Sequence, residues 1–274
     1  MQPACPSCGA KGAWRDGHEE SGLQRFRCRS CGRRCSSLTG TVLEYGKADM
    51  AAWIQSVRLM RFSVPLDASA GICGVSHQTA WEWRHRAFAA DGYQDRIVLK
   101  DRVWIDETYI VDTDLSPRSA HARTRRPARQ HACIAVAIDI HRNPVAVVCG
   151  HGEPSSRRIG ESLGPHIADG STIVGDRERA HNALVKAIKG THEACKADVN
   201  DPVYLERAAM VNSLCSWIKR HLWRFTGMAM KYLQSCLNWY VYLFRVKQAG
   251  ERWPETARVV RHLMLADARF RSST

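Results

Sequence analysis

No run of apolar residues in this chain approaches the ~18 uncharged residues that a membrane helix needs. The longest candidate, Leu237 to Phe244, is far too short. The first residues, Met1-Gln-Pro-Ala-Cys, lack the basic-then-apolar pattern of a secretory signal. The expectation is a cytoplasmic, nucleoid-associated protein with no membrane partner. There is no internal repeat. Acidic residues are scarce, 27 Asp and Glu against 40 Lys and Arg, so the net charge is +13. That imbalance disfavours a typical metabolic enzyme and favours a polyanionic partner. What is present is ordinary core-forming material: 45% of the residues are hydrophobic and 24% charged. At 274 residues the chain has room for one medium domain and one or two small ones.

A cytoplasmic setting keeps the 11 cysteines reduced, so they are candidates for metal ligation or core packing, not for disulfides. Residues 1–40 have too few apolar residues for a core of their own and need a staple. Cys5-x2-Cys8 and Cys28-x2-Cys31 supply one. Each CxxC is a tight turn that aims two thiolates at one point, and Pro6, Gly9 and Gly32 provide the turn chemistry. Two such turns joined by a hairpin make a tetrahedral S4 site suited to structural zinc, with no open position for catalysis. Cys35, just past the second pair, reads as a spectator, with ligation left as its alternative. The other six cysteines read as small core residues.

Residues 41–95 read as helical and DNA-binding. Ala70 to Trp83 has the shape of a helix-turn-helix, with Gly74-Val75-Ser76 as the turn and Ser76 as N-cap. In that arrangement His77 and Gln78 open the second helix toward base edges, and Arg84 and Arg86 reach phosphates. A plain helical hairpin is the bland alternative.

Beyond residue 96 the pattern becomes α/β. Val103 to Val111 reads as a strand through Asp106 and Glu107, His131 to Ile140 and Pro144 to Cys149 as a hairpin, and Ser171 to Val174 as a buried strand. Helices over 155–167 and 181–188 alternate with these strands, and 203–245 is a long helical region interrupted at Gly227. A carboxylate in an apolar strand is costly unless paired or metal-bound. Asp106 and Asp176, on strands expected to be neighbours, form a natural Mg²⁺ site. On the helix that follows, Asn212, Ser216 and Lys219 share a face opposite Leu214, Trp217 and Ile218. Arg220 adds a phosphate contact. Arg118 to Arg129 reads as either a phosphate clamp, through Arg123, Arg125, Arg126 and Arg129, or a solvated loop.

CPSCG, FRCRSCG and SLTGT at the head, WIDETYI in the middle, and the stretch from Asn212 to Phe244 together resemble the ISXO-like insertion-sequence transposases. The resemblance runs in the right order over almost the whole chain. It implies an α/β fold in which an RNase H-like mixed sheet flanked by helices (96–248) follows a zinc ribbon (1–40) and a helix-turn-helix region (41–95), with a C-terminal helix and tail at 249–274. It assigns Asp106, Asp176 and Asn212 to two catalytic Mg²⁺ or Mn²⁺ ions, and Lys219, seven residues after Asn212, to phosphate. Arg177 and Glu178, directly after Asp176, depart from the Gly or Trp and aromatic expected there. Glu206 is the rival to Asn212. Six residues separate them, about 240° around a helix, so the two point in different directions, whereas Lys219 lies nearly two full turns from Asn212. The implied activity is metal-dependent cleavage and strand transfer at the element's terminal inverted repeats, by a homo-oligomer on double-stranded DNA. The alternative is a non-catalytic DNA-binding protein that keeps the ribbon and helices over a dead core.

Overall fold

In the computed structural model, residues 4–20, 22–44, 49–90, 94, 96–111, 131–175, 179–194, 202–224, 229–250 and 252–266 are described. Two units form, Met1–Asp91 with Glu251–Thr274, and Gly92–Gly250.

The first unit begins with a three-stranded antiparallel sheet of β1 (Ala13–His18), β2 (Gln24–Cys28) and β3 (Arg34–Cys35). The SLTGT segment then turns on its own hydroxyls. Ser36 N–H donates to Thr39 Oγ1, and Thr41 Oγ1 donates to the Leu38 carbonyl. Leu38 within it and Val42 and Leu43 after it are buried. Three helices follow: α1 (Met50–Arg61), α2 (Leu66–Cys73) and α3 (His77–Ala89). The three pack on one another, and Trp53, Val57 and Met60 of α1, Ala70 of α2, and Ala80, Trp83, Ala87 and Phe88 of α3 are buried. The last helix of the chain, α8 (Glu255–Leu265), closes this unit. It buries Val259 and Leu263, and Arg61 of α1 holds it by hydrogen bonds to Glu255 and Thr256.

The second unit is built on a five-stranded sheet of β4 (Arg102–Val111), β5 (His131–Asp139), β6 (Pro144–His151), β7 (Thr172–Gly175) and β8 (Thr191–Ala194). The order is β6-β5-β4-β7-β8. The β4–β5–β6 meander is antiparallel, and β7 and β8 run parallel to β4. Helices α4 (Ser156–Leu163), α5 (Arg179–Ala187), α6 (Pro202–Trp223) and α7 (Leu233–Gln248) cover it. α6 packs on β4 and β5, α7 on β6, and α4 on β5 and β6. Every residue of β5 from Ala132 to Ile138 is at most 1% exposed, because helices cover both of its faces. That explains why this strand reads as a continuous apolar run and not as an alternation. No helix among the described residues is long and apolar enough to cross a membrane.

Strand β6 lies at the edge of the sheet, where a free row of backbone groups invites pairing with another chain. Side-chain amides occupy that row. Gln94 accepts from Ala146 N–H (2.7 Å) and donates to Ala146 C=O (2.9 Å). Gln234 of α7 accepts from Val148 N–H (2.8 Å), and Asn238 accepts from both glutamines. Gln94 is buried, so water has little access to replace it. Gln94→Ala should destabilise the protein by about 1–3 kcal/mol, the cost of orphaning a buried N–H. Chemical denaturation checks this. A loss below ~0.5 kcal/mol, the lower end of a single net hydrogen bond, would show that the amide ladder does not carry the edge.

Candidate functional site

The two CxxC turns are near copies of each other. Gly9 N–H donates to Cys5 C=O (2.8 Å), and Gly32 N–H to Cys28 C=O (3.0 Å). Gly9 and Gly32 sit at φ 71° and 70°, a backbone conformation that glycine adopts without strain. The β1–β2 hairpin pairs Ala13 with Cys28 and so brings the turns face to face. Cys5 and Cys31 sulfurs lie 3.6 Å apart, as do those of Cys8 and Cys28, and all four fall within 4.8 Å of one another. Zinc–sulfur bonds of ~2.3 Å at tetrahedral angles give sulfur–sulfur edges of about 3.8 Å. The four cysteines therefore fit structural zinc. Among the described residues they are the one such cluster of His, Cys, Asp and Glu side chains.

Local electrostatics favour thiolates at the two buried positions. The backbone hydrogen bond from Ser7 outweighs burial and lowers the Cys5 thiol. Those from Cys31 and Ser30 hold Cys28 down at about 6. A backbone bond from Ala10 lowers Cys8, yet its three sulfur neighbours push it up to about 12. A cation removes that mutual repulsion, and this is the electrostatic reason for a metal here. Cys35, on β3 opposite Phe26, stands outside the four-sulfur group, its thiol raised by burial and then by the neighbouring sulfurs.

The helix pair α2–α3 is joined by Gly74 in the left-handed conformation (φ 64°). Ser76 caps α3 by accepting from Thr79 N–H at 3.1 Å. His77 and Gln78 are exposed at the start of α3, with His77 3.3 Å from Asp67 and Gln78 donating to Glu82. Arg84 and Arg86 are placed differently from the phosphate contacts expected of them. Arg84 is 7% exposed and donates to the Val64 carbonyl at 2.8 Å, tying α3 to the loop before α2. Arg86 donates to the Glu44 carbonyl at 2.9 Å, anchoring the segment that leaves the ribbon.

In the second unit, strand alternation sends the two carboxylates of WIDETYI to opposite faces. Glu107 meets His181 of α5 at 2.7 Å, both side chains being nearly inaccessible. Asp106 faces α6. Its Oδ1 accepts from the Glu107 N–H (2.9 Å), and the thiol of Cys215 lies 3.6 Å from its Oδ2. Burial, followed by the Asp106 charge, raises that thiol, while Lys219 pulls it the other way. Asn212, three residues before Cys215, and Lys219, four after it, stand within about 60° of it on the helix. Asn212, Cys215 and Lys219 therefore share the face of α6 turned to Asp106. Cys215 is the residue that sequence reading missed. A lone Cys in an apolar helix carries no sign that its neighbour across the sheet is a carboxylate.

Strand β7 lies beside β4 with Trp104 opposite Val174, and it ends at Gly175. A Cβ at Gly175 would come within 3.3 Å of the Ile105 carbonyl, so the two strands are in close contact there. Asp176 and the arginines at 123, 125, 126 and 129 lie outside the described residues, as does the side chain of Glu206. Arg220 is exposed on α6.

Taken together, these features define a zinc-ribbon protein with helices and a mixed α/β body. The ribbon itself can be placed more closely: residues 3–32 match the InsA N-terminal domain, a zinc ribbon. This InsA-like head, with its four gathered cysteines, indicates an insertion-sequence-associated protein. No curated protein matches the chain.

The purified protein should carry one tightly bound zinc per chain. Cys28→Ser should lose it together with order in the ribbon, whereas Cys35→Ser should keep it. Elemental analysis with native thiol titration checks this. Four freely titrating thiols and no zinc would remove the centre, and zinc loss in Cys35→Ser would enlarge the ligand set.

Proposed function

We propose that the chain is the transposase of an insertion sequence, which binds the element's terminal inverted repeats and carries out metal-dependent DNA cleavage and strand transfer. The observation that carries this reading is the seating of the Asn212–Cys215–Lys219 face of α6 over Asp106 on the central strand. The strand order supports it. An antiparallel three-strand meander extended by two parallel strands on the side of the first strand is the arrangement expected of an RNase H-like core. In that reading Asp106, Asp176 and Asn212 hold Mg²⁺ or Mn²⁺, since carboxylate and amide oxygens are the hard ligands these ions take. The ions would supply charge stabilisation at the phosphate undergoing displacement.

The chain's own groups have separable parts. Glu107 N–H and the Cys215 thiol fix the plane of the Asp106 carboxylate from two sides. Lys219, exposed at the edge of this face, neutralises a phosphate of the bound strand. The InsA-like ribbon and the α2–α3 pair supply double-stranded DNA binding, with His77 and Gln78 as the exposed residues toward base edges. A homo-oligomer that pairs two element ends is the working form in this reading.

The test is strand cleavage of DNA bearing the terminal repeats, with Mg²⁺ or Mn²⁺. Asp106→Asn and Asn212→Ala should abolish cleavage while end binding persists. Glu206→Ala should stay within ~10-fold, about 1.4 kcal/mol of barrier. Loss with Glu206→Ala and retention with Asn212→Ala would move the third metal position. Absence of cleavage by the wild-type chain on verified ends would overturn the catalytic reading.

A further inference from the structure

The outward face of α6 carries a feature that the proposed cleavage site does not use. Trp217 lies two residues past Cys215, about 200° around the helix, and so points away from Asp106. It is 49% exposed, less than Trp223 at the end of the same helix (83%). The Arg220 guanidinium stacks over its ring at 4.3 Å, and Lys247, from the end of α7, stands 5.9 Å from the same ring. Ser213, Trp217, Arg220 and Arg224 recur at i, i+4, i+7 and i+11, one exposed stripe. From residue 207 to residue 250 the sequence holds seven Lys or Arg and no Asp or Glu. An indole left half in water beside two cations is complementary to a ligand with a flat π-face and a negative charge beside it.

We propose that Trp217, flanked by Arg220 and Lys247, is a stacking platform for an unpaired nucleobase of single-stranded DNA. The base lies against the indole or the guanidinium plane, and the two cations take the adjoining phosphates. Bases inside an intact duplex are already stacked and offer no free face, so the platform discriminates for unpaired nucleotides. The choice of DNA over other polyanions rests on the function proposed above. The stacking geometry does not.

The experiment measures binding by fluorescence anisotropy, in the full-length Asp106→Asn chain with its zinc retained and no added magnesium. Binding is thereby read separately from cleavage. The probes are a labelled 12-mer of thymidine and a blunt 12-base-pair duplex at one salt concentration. Trp217→Ala should weaken the single strand about 10-fold, in line with loss of one base–aromatic stack, and the duplex less than ~2-fold. Trp217→Phe should recover most of the loss. Arg220→Ala should weaken both probes and flatten the salt dependence. An unchanged thermal midpoint in Trp217→Ala shows that the fold is intact. Equal loss on both probes, no loss on either, or failure of Phe to rescue would overturn the platform. A Trp217-dependent preference for a uridine 12-mer over the thymidine one, or equal competition by polyaspartate, would overturn its assignment to DNA.

Discussion

Strand β4 carries two adjacent carboxylates through a sheet covered on both faces, and much of the second unit is arranged around that constraint. Each buried charge costs several kcal/mol unless partners compensate for it. Alternation along the strand separates the problem into two. Below one face, Glu107 is matched to the imidazole of His181, deep under α5. Below the other, Asp106 receives the N–H of Glu107 and the thiol of Cys215. The first arrangement is a closed pair between two nearly inaccessible side chains. The second is a half-buried carboxylate under a helix whose facing residues include an amide and an ammonium, a chemistry that can exchange partners. One acid of the pair is thus suited to holding the fold, and the other to meeting a ligand.

The ribbon and the second unit solve the problem of stability by different means. The second has an apolar layer on each side of β5, with side-chain amides closing the edge at β6. The ribbon has almost no such layer. Its order depends on four sulfurs held at tetrahedral spacing by two glycine-ended turns, so metal binding and folding are one equilibrium there. The segment after the ribbon is fastened by short polar devices, the hydroxyl turn at Ser36 to Thr41 and the Arg86 bond to Glu44. Two arginines that the helix-turn-helix pattern assigns to phosphates are consumed in this way, Arg86 here and Arg84 within the helix pair.

Much of this was legible in the sequence, and the exceptions share a cause. The CxxC pairs, the Ser76 cap, the apolar run of β5 and the turn at Gly74 are local signals, each fixed within a few residues. The roles of Arg84, Trp217, Cys215 and Gln94 are not legible there, because each depends on a partner distant in the chain. Helical spacing groups Trp217 with Leu214 and Ile218, but α6 buries Leu214, Cys215 and Ile218 and leaves the indole half exposed. Periodicity finds that a helix has two faces. Which of the borderline residues falls inside is set by the angle at which the helix meets the sheet.

The charge on α6 and α7 shows how a local explanation can be separated from a functional one. Arg220 and His221 in the last turn of α6, and Arg245 and Lys247 in that of α7, suit the negative end of a helix dipole. Were helix stability the whole reason, the first turns should carry Asp or Glu in compensation, and neither does. Glu206 is the sole acid in either helix. Dipole matching accounts for cations at two helix ends, but not for the lack of anions along 44 residues, nor for an indole left among the cations. A stretch rich in cations and without acids of its own biases the local field to positive, and such a field concentrates polyanions from solution. The same helix therefore presents opposite chemistries on its two sides. An amide, a thiol and an ammonium lie toward a sheet carboxylate, and an aromatic with two cations lies toward solvent.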